Sequence, residues 1–449
     1  MCLRPSLLLL LYTCGILALG AQSAGERRQL DRMVAENEVF GQGHTGFMLY
    51  DLAQDQPLYR YQADRYFVPA SNVKLATFYL SQRILGRTAP AVHYRRGGDT
   101  LHLWGTGYPL LFHPSFVGYD TLGSWLRGQD GPLVLHQAAA ERPPRYGQGW
   151  SWDDYDYGYV YERTALPVYG NRLYLDVMEG RGQEAGPLEV FGSPPNADRL
   201  LVQDANQRRT ILRSETDNVF TLGAYFFNRD NFPLQRALYT SPELTLQHLM
   251  AGLPGQPVSG GQLPRPPLRE LSVVTAPLPD TVFRRLLWDS DNFLAEQLIL
   301  QAAVHRYGRF DEETLFDYAR DTLLGSGLRL GRLRLVDGSG LSRYNLLTPA
   351  QLVQIVAALD REVGRDRLLS LLPAGGVSGT LRRRFDDAPE PYVWAKTGSL
   401  SGVLCISGLL RTQSGRWLAF SFLHNNVVAG TGAYYREMER VLDYVYRQW

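Results

Sequence analysis

Ser71-Asn72-Val73-Lys74 places a hydroxyl and an amine three residues apart, where a helix is expected to start. One helical turn brings side chains with that spacing onto the same face. A serine hydroxyl is a weak nucleophile until a base removes its proton. Lysine can be that base once its pKa is lowered, whereas arginine keeps its proton in proteins. The distinction matters here because the chain carries 46 Lys plus Arg, and lysine stands only at positions 74 and 396. An unperturbed lysine is neutral only about four times in ten thousand at pH 7. Burial and the like charge of Lys396 would both lower that pKa, making the two lysines a coupled pair. A helix N-terminus would add backbone N–H donors for a developing oxyanion.

On its own, a serine three residues before a lysine is common, and the plain reading is a solvated lysine on a helix surface. Two further motifs change the weighing. Ser290-Asp291-Asn292 precedes a helical segment, where Ser and Asp could simply cap the helix. Lys396-Thr397-Gly398, followed by Ser399, lies in an expected strand and could be a strand end with an ordinary turn. The three motifs in this order are the signature of class A β-lactamases and penicillin-binding proteins. A coding bias toward arginine explains why lysine is rare, but not why both lysines fall inside these motifs. The candidates are therefore Ser71, Lys74, Ser290, Asn292 and Lys396 for acyl-transfer chemistry. Thr397, Gly398 and Ser399 stand beside them for binding. The eight histidines are scattered without ligand spacing, so no metal and no cofactor is expected.

These residues need a scaffold. Residues 44–52 and 57–64 read as two strands joined by a turn, and 391–400, 402–411 and 417–425 as three more. A helix is expected over 71–85 and another over about 433–446. Two N-terminal and three C-terminal strands would form one five-stranded antiparallel sheet, with the first and last helices on its face. Residues 242–373 are mainly helical in pattern. Within them Thr348, Pro349 and Gln351 have the spacing of a capping box with proline in the first turn. The stretch 87–268 differs: it is rich in Gly, Pro, Tyr and Trp, with short strand-like runs such as LHLWG, NRLYLDV and LEVFG. It reads as one or two inserted β-rich modules. The fold class is mixed α/β, an α+β catalytic domain made of 25–86 and 269–449.

Composition sets outer limits. At 449 residues the chain can bury a large core without help. A formal net charge of +1 argues against a nucleic-acid partner. Residues 1–24 read as an export signal: Arg4, then an apolar run over 7–19, then small residues at Ala18, Gly20, Ala21 and Ala24. The run is short for a membrane span, and no later stretch resembles one. Removing this leader deletes Cys2 and Cys14 and leaves Cys405, so the exported chain is expected to hold no internal disulfide. Cys405 reads as a buried structural residue.

With the motifs in place, the sequence resembles the low-molecular-mass class C penicillin-binding proteins. These are D-alanyl-D-alanine carboxypeptidases/endopeptidases of the penicillin-binding protein 4 (DacB) type, peptidase family S13. The resemblance covers most of the chain beyond the leader. It is carried by FVPASNVKL, SDNFLAEQL, DGSGLSRYNLLTP, LPAGGVSGTLRRR, AKTGSLSGV and GQGWSWDDYDYGY. Spacing separates it from a β-lactamase. The 219 residues from Ser71 to Ser290 (290 − 71) are far too many for that compact arrangement, while the 106 from Ser290 to Lys396 (396 − 290) are not. The surplus lies at 87–268, where S13 enzymes carry extra domains. One departure is Tyr108, which precedes Pro109 where the family usually has Asp-Pro.

The resemblance implies a periplasmic enzyme acting on peptidoglycan stem peptides and acylated by β-lactam antibiotics. It implies a role for Asp154 in meeting the free amine of the stem-peptide diamino acid, and a place for Arg343 at the cleft edge. Rival readings are a serine β-lactamase or esterase on the same scaffold, and a catalytically silent peptidoglycan-binding protein.

Overall fold

The computed structural model describes residues 24–177, 190–204, 206–208, 211–223, 233–323, 332–428 and 430–449. The expected leader lies almost wholly outside them, as do the first residues of the LEVFG run. The chain divides into two compact units, one made of 1–72 with 346–449 and the other of 73–345.

The first unit is built on the five expected strands: β1 (His44–Asp51), β2 (Gln56–Tyr61), β3 (Val393–Leu400), β4 (Val403–Arg411) and β5 (Trp417–Asn425). Their order is β3-β4-β5-β1-β2, and every neighbouring pair is antiparallel. Leu404, Ile406 and Leu410 of β4 join a core with Tyr434, Met438, Val441, Leu442 and Val445 of the last helix, Thr431–Gln448. The alternate residues Cys405, Ser407 and Leu409 are buried too. Both faces of β4 are therefore covered, which is why its sequence reads as a continuous apolar run. Each large aliphatic side chain so buried stabilises the sheet by about 1.5–3 kcal/mol.

The helix Pro349–Val363 packs on β1, β4 and β5. It starts with the expected capping box: the Thr348 hydroxyl accepts from the Gln351 N–H, and the Thr348 N–H donates to the Gln351 side chain. The last helix covers the sheet as expected. The helix after Ser71 does not do so within this unit: Val73–Ile84 belongs to the second unit and packs on Asn292–Tyr307. Its residues 73–81 are all buried, so over that stretch it shows no solvent-exposed face of the kind a surface helix has.

The second unit holds a five-stranded sheet that mixes parallel and antiparallel pairs, and two three-stranded sheets. LHLWG lies in the strand Thr100–Gly105, and NRLYLDV in Arg172–Val177. The strand Ser272–Pro277 pairs with Thr88–Gly97, so one sheet draws on both sides of position 268. Four helices, Pro242–Gly252, Asp280–Trp288, Asn292–Tyr307 and Glu312–Tyr318, supply the expected helical region of this unit.

Candidate active site

The second unit holds Lys74, the Ser290-Asp291-Asn292 motif, Asp154 and Arg343. Lys74 is fully buried. Its Nζ donates to Asn292 Oδ1 at 2.6 Å and to the Ser339 carbonyl. Burial drives its pKa down to about 8, while Asp337, Glu296 and Asp291 pull it back up. Burial alone would strip the proton more completely; the acids keep the amine poised near neutrality.

Asn292 is aimed by its helix. Asp291, not Ser290, is the N-cap: its Oδ1 accepts from the Leu294 N–H at 3.0 Å. Arg172 and Arg285 both reach Asp291, at 3.1 and 2.9 Å. Burial opposes ionisation of this carboxyl, but the two guanidiniums and the cap hold its pKa well below the usual carboxylate range. Ser290 therefore stands outside the helix, with φ 57°. A left-handed serine costs about 1–3 kcal/mol and persists only where its neighbours fix it.

The Asn292 amide donates to the Tyr159 carbonyl at 2.7 Å. Asp154, in the short turn Trp152–Asp154, hydrogen-bonds the Tyr159 hydroxyl. Burial first, and Asp154 next, push that phenol up to about 12. The acidic, aromatic segment 147–159 thus touches the motif residue Asn292 through Tyr159. Arg343 is exposed in the loop after Asp337, and its N–H reaches the Gly149 carbonyl at 3.4 Å.

The first unit holds Ser71, Lys396, Thr397, Gly398 and Ser399. The expected helix starts two residues late: Ser71 lies in a 3-10 turn, Ala70–Asn72, and the α-helix follows from Val73. Ala70 has φ 46°, a second left-handed residue beside a motif serine. Lys396 is fully buried on β3, and its Nζ donates to the Thr397 carbonyl at 2.7 Å. The Thr397 hydroxyl donates to Thr380 Oγ1 at 2.8 Å. Ser399 is exposed. Gly398 has a steric reason to be glycine. A Cβ there would sit 2.8 Å from Asn72 Nδ2, 2.9 Å from the Pro69 carbonyl and 3.0 Å from the Ser71 nitrogen. Strand and serine turn approach closer than any side chain permits.

The family model of the D-Ala-D-Ala carboxypeptidase 3 (S13) family matches residues 26–445. The chain belongs to this family. It is an enzyme of the carboxypeptidase class, as its motifs and the resemblance led us to expect. D-alanyl-D-alanine carboxypeptidase DacB of Haemophilus influenzae is 27% identical over 86% of each chain. D-alanyl-D-alanine carboxypeptidase of Actinomadura sp. is 26% identical over 91% of this chain and 82% of its own. The crystal structure of penicillin binding protein 4 (dacB) from Haemophilus influenzae superposes with a TM-score of 0.69 at 22% identity, covering 94% of this chain and 99% of that one. A second structure of it, in complex with a β-lactam, superposes at 0.64. The mixed α/β, penicillin-binding fold is thereby that of the family, and the S13 resemblance holds.

Four residues that contact the motif residues or their partners carried no sequence signal of their own: Thr380 in the first unit, and Tyr159, Asp337 and Glu296 in the second. Thr380, Tyr159 and Asp337 lie within family-like segments. Glu296 lies within another such segment, SDNFLAEQL, one helical turn after Asn292. Among the described residues no helix is long and apolar enough to cross a membrane.

Proposed function

We propose that this S13 enzyme cleaves the terminal D-Ala-D-Ala bond of peptidoglycan stem peptides, and peptide cross-links of the same chemistry, through an acyl-enzyme on Ser71. Ser71 Oγ attacks the carbonyl of the penultimate D-Ala, and Lys74 takes its proton. The backbone N–H groups of Ser71 and Ser399 stabilise the oxyanion. Ser290 relays a proton to the leaving amine, Asn292 holds Lys74 and the substrate backbone, and water then hydrolyses the ester. Lys396 supplies positive potential for the terminal carboxylate, which Thr397 and Ser399 hydrogen-bond. Gly398 lets the strand lie close. Asp154 receives the free amine of the diamino acid, and Arg343 borders the cleft. No metal or cofactor takes part in this scheme.

The observation that carries this reading is the state of Lys74. Lys74 is fully buried with its Nζ on Asn292 Oδ1 and the Ser339 carbonyl, and that burial lowers its pKa and favours the neutral amine. A lysine so buried and so held supports a catalytic amine over a solvated surface charge. The same scheme makes penicillin a trapping substrate, because its leaving amine stays tethered to the acyl group. A β-lactamase on this scaffold would release that group quickly.

The remaining parts of the proposal concern organisation. Residues 25–86 and 269–449 form the catalytic domain, and 87–268 is its insert. Residues 1–24 export the chain to the periplasm, where peptidoglycan and β-lactams are its partners and nucleic acids are not. The test is intact-mass measurement after incubation with a penicillin. One adduct is expected, persisting for minutes and absent from Ser71→Ala. An adduct that survives in that variant overturns the assignment.

A further inference from the structure

Glu296 is 2% exposed, on the helix Asn292–Tyr307, one turn beyond Asn292. Burying a carboxylate costs several kcal/mol unless its oxygens are satisfied, so its partners define its use. Oε1 accepts two backbone N–H groups, from Gly338 at 3.1 Å and Ser339 at 2.8 Å. Oε2 faces Arg163 Nη1 at 3.4 Å. Arg163 is shared with Glu312, at 2.6 Å. The Ser339 carbonyl, on the residue Glu296 clamps, accepts from Lys74 Nζ. Asn292 Oδ1 accepts from the same nitrogen. One helix face thus reaches the Lys74 amine twice, directly through Asn292 and through the backbone that Glu296 holds.

We propose that Glu296 is a positioning residue for Lys74: its carboxylate anchors the Gly338–Ser339 backbone whose carbonyl holds the amine, and its negative charge opposes loss of the Lys74 proton. The inference rests on the proposed role of Lys74 as the base. Asp337 shares the task from the other side. Its carboxylate accepts from the Gly340 and Ser342 N–H groups, from Asn345 Nδ2 and from Trp150 Nε1, so it ties down the same loop. The charged groups facing Glu296 are Asp337, Arg163, Glu312 and Lys74. Burial, then Asp337, push the Glu296 carboxyl up to about 7, against the pull of Arg163. Glu296 and Lys74 are therefore coupled, and protonating one changes the other.

The scarcity of lysine makes this directly testable. With only two lysines in the sequence, full-length protein labelled with carbon-13 at lysine Cε gives two resonances, assigned through Lys396→Arg. Glu296→Gln keeps an oxygen for the two N–H groups and removes the charge. Its expected effect is a fall of about one unit in the midpoint of the Lys74 resonance, with the Lys396 resonance unmoved. A Lys74 midpoint that stays in place or rises overturns the proposal. This readout needs no acylation, so it remains legible even if Ser71 were not the nucleophile. The anchoring half is read from penicillin acylation above the Lys74 midpoint. Glu296→Leu, which loses the anchor as well, should be about tenfold to a hundredfold slower than Glu296→Gln. Equal rates for the two variants refute anchoring.

Discussion

The surroundings of Lys74 and of Lys396 are both buried, yet they are made of different materials. Around Lys74 stand an amide oxygen, a backbone carbonyl and three acids, Asp337, Glu296 and Asp291. One partner of Lys396 is the carbonyl of the next residue on its own strand, and that residue's hydroxyl pairs with Thr380. Carboxylates near an amine regulate when it gives up its proton. Neutral hydroxyls and a strand edge offer directional donors to an incoming anion. The acids around Lys74 suit the proton-transfer role proposed for it, and the hydroxyls beside Lys396 suit the carboxylate-binding role proposed there.

The sharpest way to break this comparison is to exchange the two cations for arginine. Lys74→Arg keeps the charge and removes the base, so the second-order rate of acylation by a penicillin should fall by about 10²–10⁴. Lys396→Arg should keep a measurable fraction, since a guanidinium still attracts a carboxylate. For the unaltered enzyme the acylation rate should climb as pH rises through about 8, the value to which burial lowers Lys74. If both arginine variants lose the same factor, the two lysines do not differ in kind.

A smaller effect separates reading the substrate from reacting with it. Asp154→Ala should slow cleavage of peptides bearing a free side-chain amine by about tenfold to a hundredfold, the worth of one charged hydrogen bond. Acylation by simple penicillins should hardly change. Equal losses with both substrates would place Asp154 in the chemistry, through Tyr159 and Asn292, and would blur the boundary drawn here.

The smallest effect sharpens the Lys396 side. Thr397→Val removes one neutral donor while keeping the shape of the side chain. It should raise KM for a carboxylate-bearing peptide about fivefold, one ordinary hydrogen bond, with kcat preserved. A fall in kcat without a change in KM would contradict an anion-binding role.

Much of this was legible before any coordinates. The five strands follow from apolar runs and turns, and Thr348 announced its helix because a capping box is a local device, complete within four residues. The motif residues were legible because two lysines in a chain of arginines mark themselves. What escaped was long-range. Glu296 looks like any helical acid, and its burial depends on backbone N–H groups more than forty residues away, at Gly338 and Ser339. The burial of residues 73–81 of the first helix, which packs on Asn292–Tyr307 among others, is a tertiary effect that its own period does not announce. The left-handed Ala70 and Ser290 had no glycine to announce them, since tertiary packing rather than residue type holds them there.

Gly398 has a mechanical consequence. Where a strand meets a turn through side chains, rotamer motion lets the two drift. At Gly398 the strand meets the backbone of Pro69 and Ser71 and the Asn72 amide, with no side chain of its own between. Ser71 and Ser399, the two donors proposed for the oxyanion, flank this contact on the same unit. Their spacing is then set by covalent geometry and van der Waals radii. Such a pair spends no energy on reorienting when charge appears on the substrate oxygen, and thermal agitation that loosens side chains elsewhere leaves its aperture nearly constant.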